Sequence, residues 1–116
     1  MENRDYYWLL LKYVNIIHDA LERYNIKNIP DLSANMKNSV KLNSIVCLHV
    51  SQIGELCKKL PDSFREKHPS INWKGLYRTR NIIAHDYDAV SHSILADIIY
   101  SQVLPLRLVL IKVTES

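Results

Sequence analysis

A run of eight residues, Arg80 to Tyr87, carries the side chains best suited to chemistry. It reads RNIIAHDY, which places a guanidinium, an amide, an imidazole and a phenol within about two helical turns. Arg80 falls inside an apolar stripe at helical spacing, and a buried, unpaired guanidinium is costly. It therefore needs a carboxylate, a phosphate or a water-filled cleft. Asn81 and His85 are four residues apart, so they share the adjoining face of the helix. The stripe consists of Trp73, Leu76, Tyr77, Ile83, Ala84 and Tyr87.

The composition indicates one all-α domain over residues 1–116. The chain has 116 residues, 47% of them hydrophobic, and only two glycines. No Asn-Gly or Asp-Gly dipeptide signals a β-hairpin, which favours helices. The formal charge of +3 permits a nucleic-acid partner without requiring one, because such proteins usually show a clustered basic face.

Cysteine spacing and the amino-terminal sequence indicate a cytoplasmic location. Cys47 and Cys57 are ten residues apart in a helical pattern, which separates them by about 15 Å and excludes a disulfide between them. Buried free thiols in a reducing compartment are the simpler interpretation. The first residues, MENRD, are charged and do not resemble a signal peptide. No apolar run approaches the length needed to span a bilayer, so we expect no membrane partner.

Apolar spacing predicts an up-down bundle of four or five helices. The first helix spans about residues 4 to 25, with its connection ending at Pro30. A second helix runs from near Asp31 to Leu60, and its wide apolar face predicts a central position. Gly54 within it predicts a close approach of another helix, because glycine is otherwise unfavourable there.

The remaining elements are shorter. A polar connector with room for one helical turn precedes a third helix, about residues 73 to 86, which carries the motif. Asp88 or Ser91 could cap a fourth helix. Pro105 either kinks that helix or begins a fifth segment.

Three segments in the same order and spacing resemble the HepT-like toxins of the HEPN superfamily. The similarity is strong over about residues 40 to 105, and the first helix agrees by pattern only. The bare pattern of Arg, four residues and His is weak evidence, so the surrounding segments carry the resemblance. These segments are Asn43 to Leu60 with Gln52-Ile53-Gly54-Glu55, Phe64 to Pro69 with Trp73-Lys74, and Arg80 to Tyr87.

The resemblance implies a HEPN-like homodimer that brings two motifs together in an interface cleft. Many such proteins are metal-independent endoribonucleases of toxin–antitoxin pairs, in a type VII-like arrangement. A minimal nucleotidyltransferase antitoxin neutralises them by transferring AMP to the motif tyrosine. By position, Arg80 and His85 would be the catalytic pair, Asn81 the supporting polar residue that follows the arginine, and Tyr87 the site of AMPylation. Glu55 is a candidate supporting neighbour on other grounds, and a solvated position on the helix face fits it equally well. Asp88-Ala89-Val90 departs from the usual glycine-containing continuation.

The same residues suit RNA cleavage on chemical grounds. The 2′-hydroxyl of RNA can attack the adjacent phosphorus, with histidine moving protons and arginine stabilising the phosphorane. No metal or cofactor is then required. One histidine does not readily serve as base and acid together, so a dimer would supply the second. We therefore expect an endoribonuclease acting on tRNA or mRNA.

Two other functions fit the same sequence. The protein could be a catalytically inactive binding module that dimerises and engages the nucleotidyltransferase. It could instead be a structural bundle in which Arg80 pairs with Glu55 or an acidic residue of the first helix. Lys58, Lys59, Lys67 and Lys74 could hold RNA phosphates, although such lysines are usually only solvated. Structural roles, without metal-ligand spacing, are expected for His18, His49, His68 and His92.

Overall fold

Over residues 3–115 the apolar stripes fold into seven α-helices, and the all-α prediction is confirmed. The computed structural model describes residues 3–115, which contain no β-strand. A 3-10 turn, Tyr87–Ala89, follows α5, and a π-helical segment, Ile99–Val103, joins α6 to α7. The helices are α1 (Asn3–Arg23), α2 (Ile29–Asn38), α3 (Val40–Lys59), α4 (Asp62–Lys67), α5 (Trp73–His85), α6 (His92–Ile98) and α7 (Leu104–Glu115).

The helix α3 lies at the centre, as its wide apolar face predicted. It packs against α1, α2 and α5. Its buried side chains belong to one core that also includes residues of α1, α6 and α7. A central helix of this kind fixes the positions of the helices on either side of it. The position of the motif helix α5 is therefore set mainly by its contact with α3.

The prediction of one helix from Asp31 to Leu60 is wrong, because Ser39 divides it into α2 and α3. Ser39 has an extended backbone, with φ −128° and ψ 107°. Its hydroxyl accepts a hydrogen bond from the Leu42 amide at 3.1 Å, which caps the start of α3. Its own amide donates to the Asn35 carbonyl at 2.9 Å and closes α2. Serine favours such caps because its hydroxyl replaces a missing backbone partner.

The connector before α5 contains the expected helical turn as α4, and Trp73 attaches it to the motif helix. The Trp73 indole N–H donates to the carbonyls of Arg65 at 3.2 Å and His68 at 3.1 Å. The Trp73 and Phe64 rings lie 6.0 Å apart. The Asn72 side chain accepts from the Gly75 amide at 2.9 Å and caps α5. The start of α5 is thus held on two sides.

The segment after the motif forms one continuous helical stretch, His92–Glu115, capped by Ser91 as one of the two predicted alternatives. Pro105 lacks an amide hydrogen, and the π-helical turn before it accommodates that loss without ending the helix.

By length and composition alone the helical stretch His92–Glu115 could cross a membrane, with mean hydropathy 1.8. The expectation that no apolar run has such a length is therefore wrong, because Pro105 does not start a separate segment, which was one of its two predicted roles. Core helices of globular proteins meet the same criteria, and Leu106 and Leu110 are fully buried.

Gly54 makes the close helix contact that its position predicted. A Cβ atom placed on Gly54 would lie 2.6 Å from the Leu76 carbonyl oxygen and 2.8 Å from the Arg80 Cβ. Both distances are shorter than real Cβ contacts, so any larger residue would separate α3 from α5. The glycine at position 54 therefore allows α5 to pack in direct contact with α3.

Candidate functional site

Arg80 is held on α5 by two side chains, which confirms that it needed a partner. Its Nε lies 3.3 Å from the Glu55 Oε2, and the two form an ion pair between α5 and α3. Its Nη1 donates a hydrogen bond of 2.9 Å to the Asn81 Oδ1. The Arg80 side chain is still 33% exposed. The guanidinium is therefore fixed in direction and yet accessible to an anion in solution.

His85 lies exposed in the last turn of α5. Within residues 3–115 it forms no hydrogen bond or ion pair, so its imidazole is available to an added ligand. It lies five positions after Arg80, and a helix turns about 100° per residue, so the two side chains leave α5 in different directions. Asn81 is four residues before His85 and bonds to Arg80, and it therefore lies between the two.

Tyr87 lies beyond the end of α5, and its hydroxyl is anchored on α3. The Asn43 Nδ2 donates to that hydroxyl at 2.8 Å, while 48% of the Tyr87 residue stays exposed. The pKa of the Tyr87 phenol is raised, first by loss of hydration and then by the neighbouring Cys47 thiol. The phenol is therefore protonated at neutral pH and able to donate a hydrogen bond as well as accept one.

The predicted apolar stripe of α5 needs correction at its end. Leu76 is buried, but Ala84 and Tyr87 are exposed, because α5 ends at His85 and the chain turns away at Asp86. Thr79, absent from the predicted stripe, is buried and donates its hydroxyl hydrogen to the Gly75 carbonyl at 2.8 Å. The exposed end of α5 is the part that carries His85.

Asn43 and Tyr77 were not assigned to the site from the sequence, and Lys58 was considered only as a possible contact to RNA phosphates. Asn43 anchors Tyr87, and the sequence indicated it only as the first residue of the segment Asn43 to Leu60. Lys58 donates to the Tyr77 hydroxyl at 3.0 Å, and Tyr77 lies beside Arg80, with 6.0 Å between the ring centroid and the Arg80 Cζ. The hydrogen bond to Lys58 lowers the pKa of the Tyr77 phenol. An amide within an apolar stripe was the one signal that could have identified Asn43.

Within residues 3–115, one group of side chains has metal-ligand spacing, contrary to the expectation for His18. His18, Asp19 and Glu22 have ligand atoms within 4.8 Å of one another on the surface of α1. Both carboxylates are exposed and next to the imidazole at 3.5 to 3.7 Å, which ion pairing on one helix face explains. Both cysteines are buried free thiols, as predicted. Burial raises the pKa of Cys57 to about 12.

The fold and the site define an all-α protein that carries an accessible arginine, an exposed histidine and an anchored tyrosine within eight residues. The family model described as "Ribonuclease HepT-like" matches residues 10–113. The chain belongs to this family, and the resemblance inferred from the three sequence segments is confirmed.

Curated relatives agree with this family. The chain is similar to "Putative RNase MJ0127" of Methanocaldococcus jannaschii, at 33% identity over 75% of this chain and 74% of that protein. It is similar to "Putative RNase MJ1380" of the same organism, at 30% identity over 75% of this chain and 83% of that protein. "Putative RNase TTE0752" of Caldanaerobacter subterraneus subsp. tengcongensis is 37% identical over 44% of this chain and 46% of that protein. No solved structure matches the chain significantly.

Proposed function

We propose that this protein is a metal-independent endoribonuclease that acts as a homodimer through Arg80 and His85. The observation that carries the proposal is the pair itself: a fixed, accessible guanidinium and an exposed imidazole five positions apart on one helix of a HepT-like chain. Relatives named as RNases support an RNA substrate, tRNA or mRNA. The whole chain, residues 1–116, acts as one domain in the cytoplasm, where these RNAs are found.

Each side chain has a defined part in the reaction. Arg80 holds the scissile phosphate and stabilises the charge that develops on its oxygens when the 2′-hydroxyl attacks. Glu55 and Asn81 keep the guanidinium in place. His85 removes the 2′-proton or protonates the departing 5′-oxygen, and the second copy's histidine performs the other transfer. The products then end in a 2′,3′-cyclic phosphate and a 5′-hydroxyl.

We further propose that the protein is the toxin of a toxin–antitoxin pair and that a minimal nucleotidyltransferase neutralises it at Tyr87. Half of Tyr87 is exposed, so a modifying enzyme can reach its hydroxyl oxygen, the atom that accepts the AMP, once the Asn43 hydrogen bond opens. A transferred AMP would add bulk and negative charge beside the cleft, where the RNA backbone must bind. RNA binding and cleavage should both fall.

The decisive experiment is cleavage of total tRNA and of mRNA in excess EDTA by protein whose intact mass shows no added AMP. His85→Ala should reduce cleavage by about 10²- to 10⁴-fold, the usual contribution of a general acid or base. His18→Ala is the matched control, because it removes an imidazole whose partners Asp19 and Glu22 lie on its own helix. It should cleave like the parent.

Several outcomes would contradict the proposal. Equal cleavage by the parent and His85→Ala would indicate a contaminant, and 3′-hydroxyl ends would exclude the transesterification. A strict monomer at micromolar concentration that still cleaves RNA would exclude the two-copy site. Absence of cleavage by unmodified protein would favour the catalytically inactive binding module that engages the nucleotidyltransferase.

A further inference from the structure

A groove lined by basic and aromatic side chains adjoins Arg80 and has no part in the chemistry described above. It has a volume of about 200 Å³ and lies between the end of α3, α4 and the start of α5. It opens into a wider depression of about 370 Å³ that shares three of its residues. We call it the basic–aromatic groove, and its lining residues are Lys58, Arg65, Trp73, Lys74 and Tyr77.

The groove has an excess of positive charge available to a ligand. Arg65 is paired with Asp62, so its charge is largely compensated. Lys74 forms no ion pair or hydrogen bond with any residue between 3 and 115, and it is exposed. Lys58 is exposed, and among the described residues its one hydrogen bond goes to the Tyr77 hydroxyl. Two lysines in the groove are thus without a carboxylate partner in contact.

Tyr77 positions one of these lysines next to the candidate active site. The Lys58 Nζ donates to the Tyr77 hydroxyl at 3.0 Å and lies 4.5 Å from the centre of its ring. The same ring is 6.0 Å from the Arg80 Cζ. Lys58 and Arg80 are therefore held around one aromatic ring, and an extended polyanion on Arg80 would meet Lys58 next.

Trp73 gives the groove a rigid aromatic wall. Its indole nitrogen is fixed by two backbone carbonyls, at 3.1 and 3.2 Å, and its ring packs on Phe64. The residue remains partly exposed where it lines the groove. Basic side chains that track a backbone, together with an aromatic surface for bases, are the usual features of single-stranded nucleic-acid sites. A duplex would offer its phosphates but keep its bases stacked internally.

We propose that the basic–aromatic groove binds a nucleotide of single-stranded RNA next to the one whose phosphate Arg80 holds. Lys58 and Lys74 contact its phosphates, Tyr77 is a positioning residue for Lys58, and the base lies against Trp73. This inference rests on the proposed nuclease function, since RNA is taken as the ligand. The RNA strand would then run across the protein surface from Arg80 toward the start of α5.

The test measures binding of a fluorescein-labelled single-stranded RNA by anisotropy over a range of salt concentrations. All proteins carry His85→Ala, so that the RNA stays intact. Each lysine that contacts a phosphate should contribute about 0.7 to the slope of log affinity against log salt. Lys58→Gln and Lys74→Gln should each lower the slope by about that amount and weaken binding several-fold. Lys37→Gln is the control, because Lys37 lies on α2, before the opposite end of α3. The length of α3 between that end and Lys58 is about 27 Å.

A second readout reports on the base. The chain has two tryptophans, Trp8 and Trp73, so Trp8→Phe leaves Trp73 as the only indole emitter. Single-stranded RNA should quench this emission, whereas polyglutamate at the same charge concentration should not. Quenching by polyglutamate, or no quenching by RNA, would overturn the contact between a base and Trp73.

The outcomes separate this inference from the nuclease proposal. If the protein cleaves RNA in EDTA but the Lys58 and Lys74 variants bind RNA like Lys37→Gln, RNA binding by the groove is refuted and the nuclease proposal stands. If RNA binding depends on the two lysines but no cleavage occurs, RNA binding by the groove stands and the nuclease proposal is refuted. If the protein neither binds nor cleaves RNA, both are wrong.

Discussion

Replacement of Gly54 by alanine tests whether the contact between α3 and α5 sets the position of Arg80. The new Cβ would lie 2.6 Å from the Leu76 carbonyl oxygen and 2.8 Å from the Arg80 Cβ, where ordinary contact begins at 3.4 Å. The first of these neighbours is backbone, so no side-chain rotation relieves it. The helix α5 must therefore move away from α3 by roughly 0.6 to 0.8 Å.

The effect of Gly54→Ala on stability should be small because two contributions oppose each other. Alanine favours a helix interior over glycine by about 1 kcal/mol. Overpacking of a tight helix contact costs about 1 to 3 kcal/mol. The free energy of unfolding should therefore fall by about 0 to 2 kcal/mol, which urea denaturation measures, with an unchanged dependence on denaturant concentration.

The effect on RNA cleavage should be larger. Arg80 is carried on the part of α5 that moves, and its 3.3 Å ion pair with Glu55 crosses the widened interface. A displacement of about 1 Å at a catalytic group can cost about 100-fold in rate. We expect kcat/KM for RNA in EDTA to fall by roughly 10- to 100-fold, from displacement of Arg80 and not from unfolding.

Gly75→Ala is the matched control. The three atoms nearest to its Cβ would all belong to the Asn72 side chain, with Nδ2 at 2.5 Å, and that side chain can rotate away. The cost is the cap at the start of α5, about 1 kcal/mol, partly offset by the helix preference of alanine. Its effect on stability should resemble that of Gly54→Ala, while its cleavage should stay within a few-fold of the parent.

The comparison can refute the reasoning in two ways. Parental activity of a folded Gly54→Ala protein would mean that Arg80 does not require its position against α3. Equal losses of activity in both glycine variants would mean that general loosening of α5 lowers the rate, independently of the contact at Gly54.

Two further predictions follow from the anchoring of the phenol and the burial of the thiols. Asn43→Ala should lower the free energy of unfolding by about 0.5 to 1 kcal/mol through loss of the 2.8 Å bond to Tyr87. The loss should disappear in a Tyr87→Phe background, and an equal loss in both backgrounds would exclude the bond as its cause. Burial raises the pKa of Cys57 to about 12, above its usual value of 9.0, so its contribution to stability is full below pH 9 and is lost between pH 9 and 12. Accordingly, the unfolding free energy of the parent should decline more steeply over that range than that of Cys57→Ala, and parallel curves would contradict the raised pKa.

The helical fold, the need of Arg80 for a partner and the close contact at Gly54 could all be predicted from the local sequence. Helical spacing of apolar residues predicted an all-α fold with α3 at its centre, because one wide apolar face can be covered only by neighbours on several sides. The position of Arg80 within such a stripe required an anion partner, and Glu55 supplies it. Gly54 within a helix predicted a close approach. The three spaced segments were sufficient to indicate the family.

Other features depended on which helices meet. Ser39 interrupts one continuous apolar pattern, because its hydroxyl caps the start of α3. Pro105 does not interrupt another, because the π-helical turn before it accommodates the missing amide hydrogen. Apolar periodicity does not describe either arrangement of backbone hydrogen bonds.

The surroundings of the motif were likewise decided by tertiary structure. Asn43 meets Tyr87 across 44 residues of sequence, and Lys58 meets Tyr77 across 19. Spacing along one helix fixes only which of its residues share a face. The partners that such a face meets depend on the angle and depth at which α5 rests on α3, and those follow from the core as a whole.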